Sequence, residues 1–373
     1  MKTETKNRRR AGDMAVRNSV GRRVFSSDTV GHLTDGIGAF VPKAHRNHRE
    51  RYDGSAASSS LNESLHLSSL PKSTTDLLTE IAPDVERLYN RHLEAPRLWY
   101  PHEQINWGTG ENFGEHPWSP SDYPLSDGVR SSIYVNLLTE DNLPYYTSTL
   151  LAHAPKDHPI RDWNHQWTME ENRHSMVMRD WVHITRCIDP TLLEDGRRVQ
   201  MATGEVPEPE TFADLICYVS FQERATQIAH RNTGAHLPKD DKMGRNVLAL
   251  VAGDETKHYL FYRDLAHAAF AIDPSTMLIA TAKQVTDFAM PGTGIPSFSR
   301  HAVRIAREGI YGLQQFLKDV LTPVLELWDL DHLTGLTKEA EQARDELSAF
   351  VAKIGETVER MAQKAAQAAN ALA

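Results

Sequence analysis

The sequence predicts an all-α fold. From about residue 72 onward, apolar residues recur with the 3.6-residue period of a helix, whereas the alternation expected of strands is scarce. The run 338–373 is rich in Ala, Glu and Lys and predicts a C-terminal helix. Segments rich in Pro and Gly at 101–128, 204–209 and 291–296 separate the helical stretches.

The composition excludes several classes of protein. The chain has 373 residues, of which 40% are hydrophobic and 8% aromatic, as in a globular protein. No apolar run reaches the roughly 18–20 residues of a membrane span, so a transmembrane protein is excluded. The two cysteines exclude a disulfide scaffold and a multi-cysteine zinc or iron–sulfur site, and they suit a reducing compartment.

Residues 1–70 are predicted to form a disordered basic tail, and residues 71–373 a single helical domain. Residues 1–60 hold 12 Lys and Arg against 6 Asp and Glu, and no helical or strand period persists there. The alternative is a transit peptide, because such segments are rich in Arg and Ser, although the tail's aspartates weaken this interpretation. The rest of the chain is acidic, which argues against nucleic acid as a partner.

Four stretches carry an apolar stripe with the helical period, and each stripe is interrupted near its middle by a carboxylate. The stripes span 133–151, 160–181, 212–230 and 243–265, and their carboxylates are Glu140, Glu171, Glu223 and Glu255. The second and fourth stripes also carry a histidine one turn after the carboxylate, His174 and His258. Since each stripe should face a core, these polar side chains are expected to be buried.

The carboxylates and histidines follow a repeat. Glu140 precedes Glu171 by 31 residues, and Glu223 precedes Glu255 by 32. The chain therefore twice places a glutamate on one helix and a Glu-x-x-His on the next. This spacing suits helices of about 20–25 residues with short links, which makes them antiparallel neighbours. Residues i and i+3 share a helix face, so each Glu-x-x-His presents both side chains in one direction.

Burying four carboxylates is costly unless cations compensate for their charge. Arg173 and Arg224 are too close in sequence to the carboxylates to share their face, and no Arg or Lys lies on the four stripes. Two divalent metals would neutralise the charges. Four carboxylates and two imidazoles are the ligand set of di-iron and di-manganese four-helix bundles, and a thiolate-free, oxygen-rich site favours iron or manganese over zinc.

The symmetry of the repeat also predicts which ligands are shared. The glutamate of each Glu-x-x-His should bridge the two metals. The remaining four residues would then complete one site each: Glu140 with His174, and Glu223 with His258.

Three further residues lie close to a predicted ligand. Pro144 follows Glu140 by four residues and has no N–H, so it should kink this helix, either to open space beside the site or as a tolerated surface kink. Thr226 lies one turn after Glu223, where its hydroxyl could bond an oxygen at the metal or, alternatively, a carbonyl of its own helix. Asp254 precedes Glu255 and could orient a ligating histidine.

These segments resemble the soluble acyl-[acyl-carrier-protein] desaturases. The similarity covers about residues 75–330 and rests on TEDNLP at 139–144, EENRH at 170–174, SFQERAT at 220–226 and DETKH at 254–258. The segment 220–230 is its most specific part. Asp141 stands where many members of the family have Glu, a difference from which we expect little consequence.

The resemblance implies a ferritin-like four-helix di-iron bundle within a larger helical domain, usually dimeric. It implies an O2-dependent enzyme that removes two hydrogens from an acyl chain held on acyl-carrier protein, with electrons from ferredoxin and two iron ions as cofactor. Thr226 matches the family's active-site threonine, Asp254 matches the aspartate that contacts His174, and Trp99 matches a tryptophan that passes electrons inward. The six predicted ligands carry over as Glu140, Glu171, His174, Glu223, Glu255 and His258.

Two other functions fit the same ligands. A different di-iron oxidase or hydroxylase is possible, and a radical-generating one would use Tyr262, one turn from His258. The other is a non-catalytic ferritin-like iron-binding protein. We expect a cytoplasmic location, or a plastid if residues 1–70 are a transit peptide. Candidates to line an acyl channel are Thr147, Thr149 and Ala152, whereas acyl-chain length, double-bond position and the carrier-docking surface stay open.

Overall fold

A computed structural model describes residues 72–94 and 98–372, and the predicted tail 1–70 lies outside the described residues. The helices are α1 (Lys72–Glu94), α2 (Asp127–Glu140), α3 (Leu143–Ala152), α4 (Ile160–Thr185), α5 (Pro190–Thr203), α6 (Phe212–His236), α7 (Lys242–Ile272), α8 (Pro274–Thr286), α9 (Phe298–Arg307), α10 (Leu313–Gln315), α11 (Thr322–Trp328) and α12 (Lys338–Leu372), with a π-helical turn at Phe316–Leu321. No strand occurs in this part of the chain. The all-α prediction and the C-terminal helix are confirmed.

Helices α2, α4, α6 and α7 form the central bundle. The longest shared surface lies between α6 and α7, while α4 packs on α2 and α7. Around this bundle, α1 packs on α7 and α4, α9 packs on α2, and α8 lies between α6 and α12. None of the described helices combines the length and the apolar character needed to cross a membrane.

Local sequence signals set the starts of the bundle helices. The Thr211 hydroxyl accepts a hydrogen bond from the backbone N–H of Asp214, whose carboxylate in turn accepts from the backbone N–H of Thr211, so α6 begins with a capping box. Ser126 caps α2 and Asp241 caps α7 in the same manner, each with its side-chain oxygen. These bonds satisfy backbone donors that would otherwise have no partner in a buried bundle.

The prediction that Pro144 kinks a single helix is wrong. The stripe 133–151 belongs to two helices: α2 ends at Glu140, and α3 begins at Leu143 with Pro144 in its first turn. Proline is tolerated there because the first N–H groups of a helix have no internal partner. The interruption between the two helices therefore falls directly after Glu140, which places the Glu140 carboxylate at the C-terminal end of α2.

The buried apolar residues form two clusters, one at each end of the bundle. On α4, Trp167 belongs to one cluster and Val177 to the other. On α7, Val251 belongs to the second cluster and Phe261 to the first. The predicted ligands lie between these positions on both helices. A layer of charged side chains is thus enclosed between two dry cores, which restricts its contact with water.

Candidate metal centre

The structure brings all six predicted ligand residues together in the middle of the bundle. Each is at least nine-tenths buried, and Glu171, the most exposed, retains 7% of its accessible surface. Because side chains three residues apart share one face of a helix, both Glu-x-x-His motifs point into the same layer. We call the following set the carboxylate–histidine cluster: Glu140 from α2, Glu171 and His174 from α4, Glu223 from α6, and Glu255 and His258 from α7.

The cluster divides into two overlapping groups of four side chains. In each group, one donor atom from every member lies within 4.8 Å of the others, a spacing that fits a metal ion. Glu171 and Glu255 belong to both groups, and these are the two glutamates predicted to bridge. The remaining members also pair as the symmetry argument predicts: Glu140 with His174 in one group, Glu223 with His258 in the other.

Unsatisfied buried atoms show that the cluster fits two metal ions. Polar atoms buried without a partner are rare because each costs free energy that folding does not recover. Here several donor atoms face the centre of the cluster without a hydrogen bond, and metal coordination would satisfy them. They include His174 Nδ1, Glu223 Oε2 and Glu255 Oε2. His258 Nδ1 and Glu171 Oε1 face the same centre and lie 2.8 Å apart.

The electrostatics of the cluster also favour a bound cation. Burial, together with the charges of Glu255 and Glu171, raises the pKa of Glu223 well above its usual value. Burial alone would lower the pKa of His258, but neighbouring carboxylates, Glu170 foremost, raise it well above its usual value. Protons therefore concentrate in the metal-free cluster, and two divalent metals would replace them as the compensating charge.

Asp254 holds the outer side of His174. Its Oδ2 lies 3.4 Å from His174 Nε2 and accepts hydrogen bonds from Trp99 Nε1 at 2.9 Å and from Arg173 Nη2 at 2.6 Å. The Trp99 ring stacks on the His174 imidazole, with ring centroids 6.5 Å apart and planes 4° apart. This contact orients His174 so that its Nδ1 faces the cluster. Asp254 therefore contacts His174, as the resemblance implies, and the electron-transfer role of Trp99 stays a prediction.

Glu170 holds His258 in the same way, and the sequence analysis missed it. His258 Nε2 lies 2.8 Å from Glu170 Oε2, and His92 Nε2 lies 3.0 Å from Glu170 Oε1. Gln166 Nε2 donates a third hydrogen bond to this carboxylate at 2.7 Å. The signal was available: Glu170 immediately precedes Glu171, as Asp254 precedes Glu255, so the repeat extends by one acidic residue. In each case that residue orients the histidine of the other helix.

His230 is a second functional residue that the sequence analysis left unassigned. Its Nε2 lies 2.9 Å from Glu140 Oε1, and the ring is 1% exposed. Burial opposes ionisation of Glu140, but contacts with His174 and His230 keep the pKa of this carboxyl at about 2. The position on the third stripe, two turns after Glu223, was the only sequence signal.

The Thr226 side chain lies one turn after Glu223 and is 5% exposed. Its hydroxyl donates to the carbonyl oxygens of Gln222 at 3.2 Å and Glu223 at 3.1 Å. This is the bonding within its own helix that the sequence analysis held as the alternative. A rotation about one side-chain bond would free the hydroxyl for a group at the cluster.

A small apolar cavity adjoins the cluster. Trp167 links the two, because its Nε1 donates to Glu223 Oε1 at 2.9 Å while its ring lines the cavity. The volume is about 30 Å³. Of the three channel candidates, only Thr149 lines it, while Thr147 lies 3.2 Å from the Thr168 hydroxyl. Other lining residues are Tyr146, Leu150, Leu215, Tyr218 and Val219.

An all-α bundle with two overlapping carboxylate–histidine groups is the arrangement of the di-iron and di-manganese carboxylate proteins, and here an apolar cavity lies beside it. The comparison with known families agrees. Residues 73–372 match the fatty acid desaturase family, and the chain belongs to that family. The chain is therefore an enzyme, and the resemblance to the acyl-[acyl-carrier-protein] desaturases is confirmed.

Two desaturases are similar to this chain over more than two thirds of its length. "Putative acyl-[acyl-carrier-protein] desaturase DesA1" of Mycobacterium tuberculosis is 37% identical over 286 residues, which cover 74% of this chain and 84% of that protein. Stearoyl-[acyl-carrier-protein] 9-desaturase 2, chloroplastic, of Oryza sativa subsp. indica is 28% identical, covering 68% of this chain and 73% of that protein.

The fold has a solved counterpart. The X-ray structure of "putative acyl-ACP desaturase DesA2" from Mycobacterium tuberculosis H37Rv matches the fold of this chain with a TM-score of 0.58. The match covers 72% of this chain and 98% of that one, at 22% sequence identity. It supports the ferritin-like helical fold.

Proposed function

We propose that the protein is an O2-dependent acyl-[acyl-carrier-protein] desaturase that introduces a cis double bond into a saturated acyl chain. One observation carries the proposal: two metal-sized groups that share Glu171 and Glu255 lie beside an apolar cavity. The names of the relatives support the carrier-bound substrate. The metals would be iron, held by the six residues of the cluster, and would supply the oxygen chemistry that removes hydrogen from an unactivated methylene.

The protein's own residues prepare the site for this reaction. Asp254 and Glu170 fix both histidines with Nδ1 toward the centre, which positions the ligands before any metal binds. The two apolar cores exclude water, so reactive species formed at the site meet substrate rather than solvent. Thr226 would turn its hydroxyl from its own helix toward the reacting groups.

The cavity would admit the acyl chain next to the cluster. Its volume of about 30 Å³ holds only a small part of such a chain, so the side chains that line it must move apart on binding. Trp167 is positioned to couple this movement to the metal centre, because it contacts Glu223 and lines the cavity.

Reconstitution tests the proposal. The protein is loaded anaerobically with ferrous iron and then supplied with O2, ferredoxin, a ferredoxin reductase and saturated acyl-carrier protein. Iron near two per chain and a double bond located by mass spectrometry support the proposal. Recovery of saturated substrate alone overturns it, a hydroxylated product indicates a hydroxylase, and iron uptake without any product indicates an iron-binding protein.

Ligand variants test the assignment of the cluster. Glu171→Ala and His258→Ala should lose iron, because each removes a donor from the overlapping groups. Glu194→Ala is the control, since this carboxylate is exposed on α5 and pairs with Arg197 at the surface. Full iron occupancy in both ligand variants would contradict the assignment.

The proposal includes a homodimer and a cytoplasmic location. Light scattering of the purified chain measures the oligomeric state. Fusing residues 1–70 to a reporter tests the location, because import into a plastid with cleavage of the segment would favour a plastid location instead.

A further inference from the structure

A line of aromatic side chains leads from the metal centre to the protein surface on the His258 side. Trp163 is fully buried, and its ring centroid lies 6.2 Å from that of His258. The Tyr89 ring follows at 6.3 Å from Trp163, edge to face. Tyr89 is partly exposed and borders a surface cleft that Asp162 and Met169 also line. Two aromatic rings therefore connect the cluster to solvent.

The charges around this line differ from those around Trp99. The guanidinium of Arg173 lies 4.6 Å above the Trp99 ring, and both Arg173 and Lys257 pair with Asp254 beside it. Asp254 also accepts the Trp99 indole N–H at 2.9 Å, so its carboxylate offsets part of their charge. In the described part of the chain, no arginine or lysine lies over the Trp163 ring.

Carboxylates also lie near the outer end of the line. Asp162 borders the same surface cleft as Tyr89. Glu170 lies 3.0 Å from His92, whose ring packs edge to face on Trp163 with centroids 4.9 Å apart. Negative charge near an aromatic ring stabilises its cation. The Trp163 line therefore ends at a phenol that borders both solvent and a carboxylate, either of which can take its proton.

We propose that Trp163 and Tyr89 carry oxidising equivalents from the metal centre to the surface when O2 reacts without an acyl chain in place. The inference rests on the proposed function and adds a protective electron route to it. Trp163 gives one electron to the oxidised metal centre and becomes a radical cation. Tyr89 then gives one electron to Trp163 and its phenolic proton to water or to Asp162 in the cleft. A ferredoxin-type donor returns the electron to Tyr89, which regains a proton from water.

Tyr262 does not take part in this electron transfer. Its ring centroid lies 5.7 Å from that of Trp163, and it is 1% exposed. Among the described residues no acceptor is bonded to its hydroxyl, so none takes the proton that a phenol releases on oxidation. Tyr89 meets that requirement because it reaches the cleft.

Single-turnover spectroscopy tests the route with the full chain. Protein loaded with ferrous iron is mixed with O2 in the absence of acyl-carrier protein, frozen at intervals and examined by electron paramagnetic resonance. Protein with ring-deuterated tyrosine identifies a tyrosyl signal, and peptide mass spectrometry locates oxidised side chains. Trp181→Phe is the matched control for Trp163→Phe, because both tryptophans are fully buried on α4.

The expected result is a tyrosyl signal in the wild type and in Trp181→Phe. Trp163→Phe should lose that signal, and Tyr89→Phe should replace it with oxidation of Trp163. Iron content and circular dichroism of each variant confirm that the site and fold persist. Wild-type signal in both Trp163→Phe and Tyr89→Phe would overturn the route.

The same samples separate this inference from the proposed function. A wild-type chain that desaturates acyl-carrier protein but forms no organic radical without substrate overturns the route alone. A chain that binds iron and forms no double bond overturns the proposed function, whatever radical appears.

Discussion

Replacing Glu170 by Gln should weaken metal binding about tenfold while leaving the fold intact. The carboxylate receives three contacts, from His258, His92 and Gln166. A glutamine oxygen can still face His258 and His92 if the Gln166 amide turns over, so the change is mainly one of charge. A hydrogen bond to a charged group contributes about 1.5–3 kcal/mol, and one to a neutral group about 0.5–1.5. The difference between the midpoints of these ranges, about 1.25 kcal/mol for His258, is roughly eight- to tenfold in affinity.

Glu170→Ala should have a larger effect. It leaves the N–H groups of His258, His92 and Gln166 without an acceptor in a buried place, and it frees the His258 ring to rotate. Loss of such an outer partner costs about 10- to 100-fold in metal affinity, and we place the alanine variant near 100-fold. The two substitutions together therefore separate loss of charge from loss of orientation.

The assay is an anaerobic titration with ferrous iron in the presence of a competing chelator. It measures the affinity of each of the two metal positions for iron. The Asp254→Asn variant should show a comparable loss on the His174 side, because Asp254 and Glu170 occupy equivalent positions. Glu194→Gln, an exposed carboxylate on α5, serves as the control. If Glu170→Ala bound both metals as tightly as the wild type, the argument from histidine orientation would be refuted.

Three further predictions follow from the structure. Burial raises the pKa of Cys187 and Cys217 to about 12. Neither thiol should therefore react with a disulfide reagent at pH 8 until the chain is unfolded. Rapid reaction of the folded protein would contradict this. Gly196→Ala should lower the free energy of unfolding by about 1–3 kcal/mol, because the new methyl would lie 2.1 Å from the Tyr134 hydroxyl. Gly355 has open space around it, so Gly355→Ala should be neutral or stabilising when both variants are compared by thermal melting. Finally, the pKa of both cluster histidines is raised in the metal-free chain, so their contribution to stability is present below about pH 6.5 and is lost as the pH rises. The melting temperature of metal-free protein should therefore fall as the pH rises above about 6.5, and that of metal-loaded protein should fall less; parallel curves would count against a metal in this cluster.

Sequence by itself determined the features that depend on helix geometry. The 3.6-residue period placed the bundle helices, and the i, i+3 relation placed Glu171 with His174 and Glu255 with His258 on common faces. The internal repeat then predicted which glutamates are shared between the two groups. The first two inferences depend on residues within one or two turns, where backbone geometry leaves little freedom. The third depends on the repetition of one helix pair along the chain.

Only the tertiary structure decided which side chains meet across helices. Glu170 lies next to His92 and His258, which are 78 and 88 residues away along the chain, and His230 reaches Glu140 across 90 residues. It also decided that Pro144 starts a new helix instead of kinking an existing one. Periodicity specifies the face on which a side chain lies, but its partner depends on the rotation and depth of the packed helices. Those are set by the interlocking of the two apolar cores.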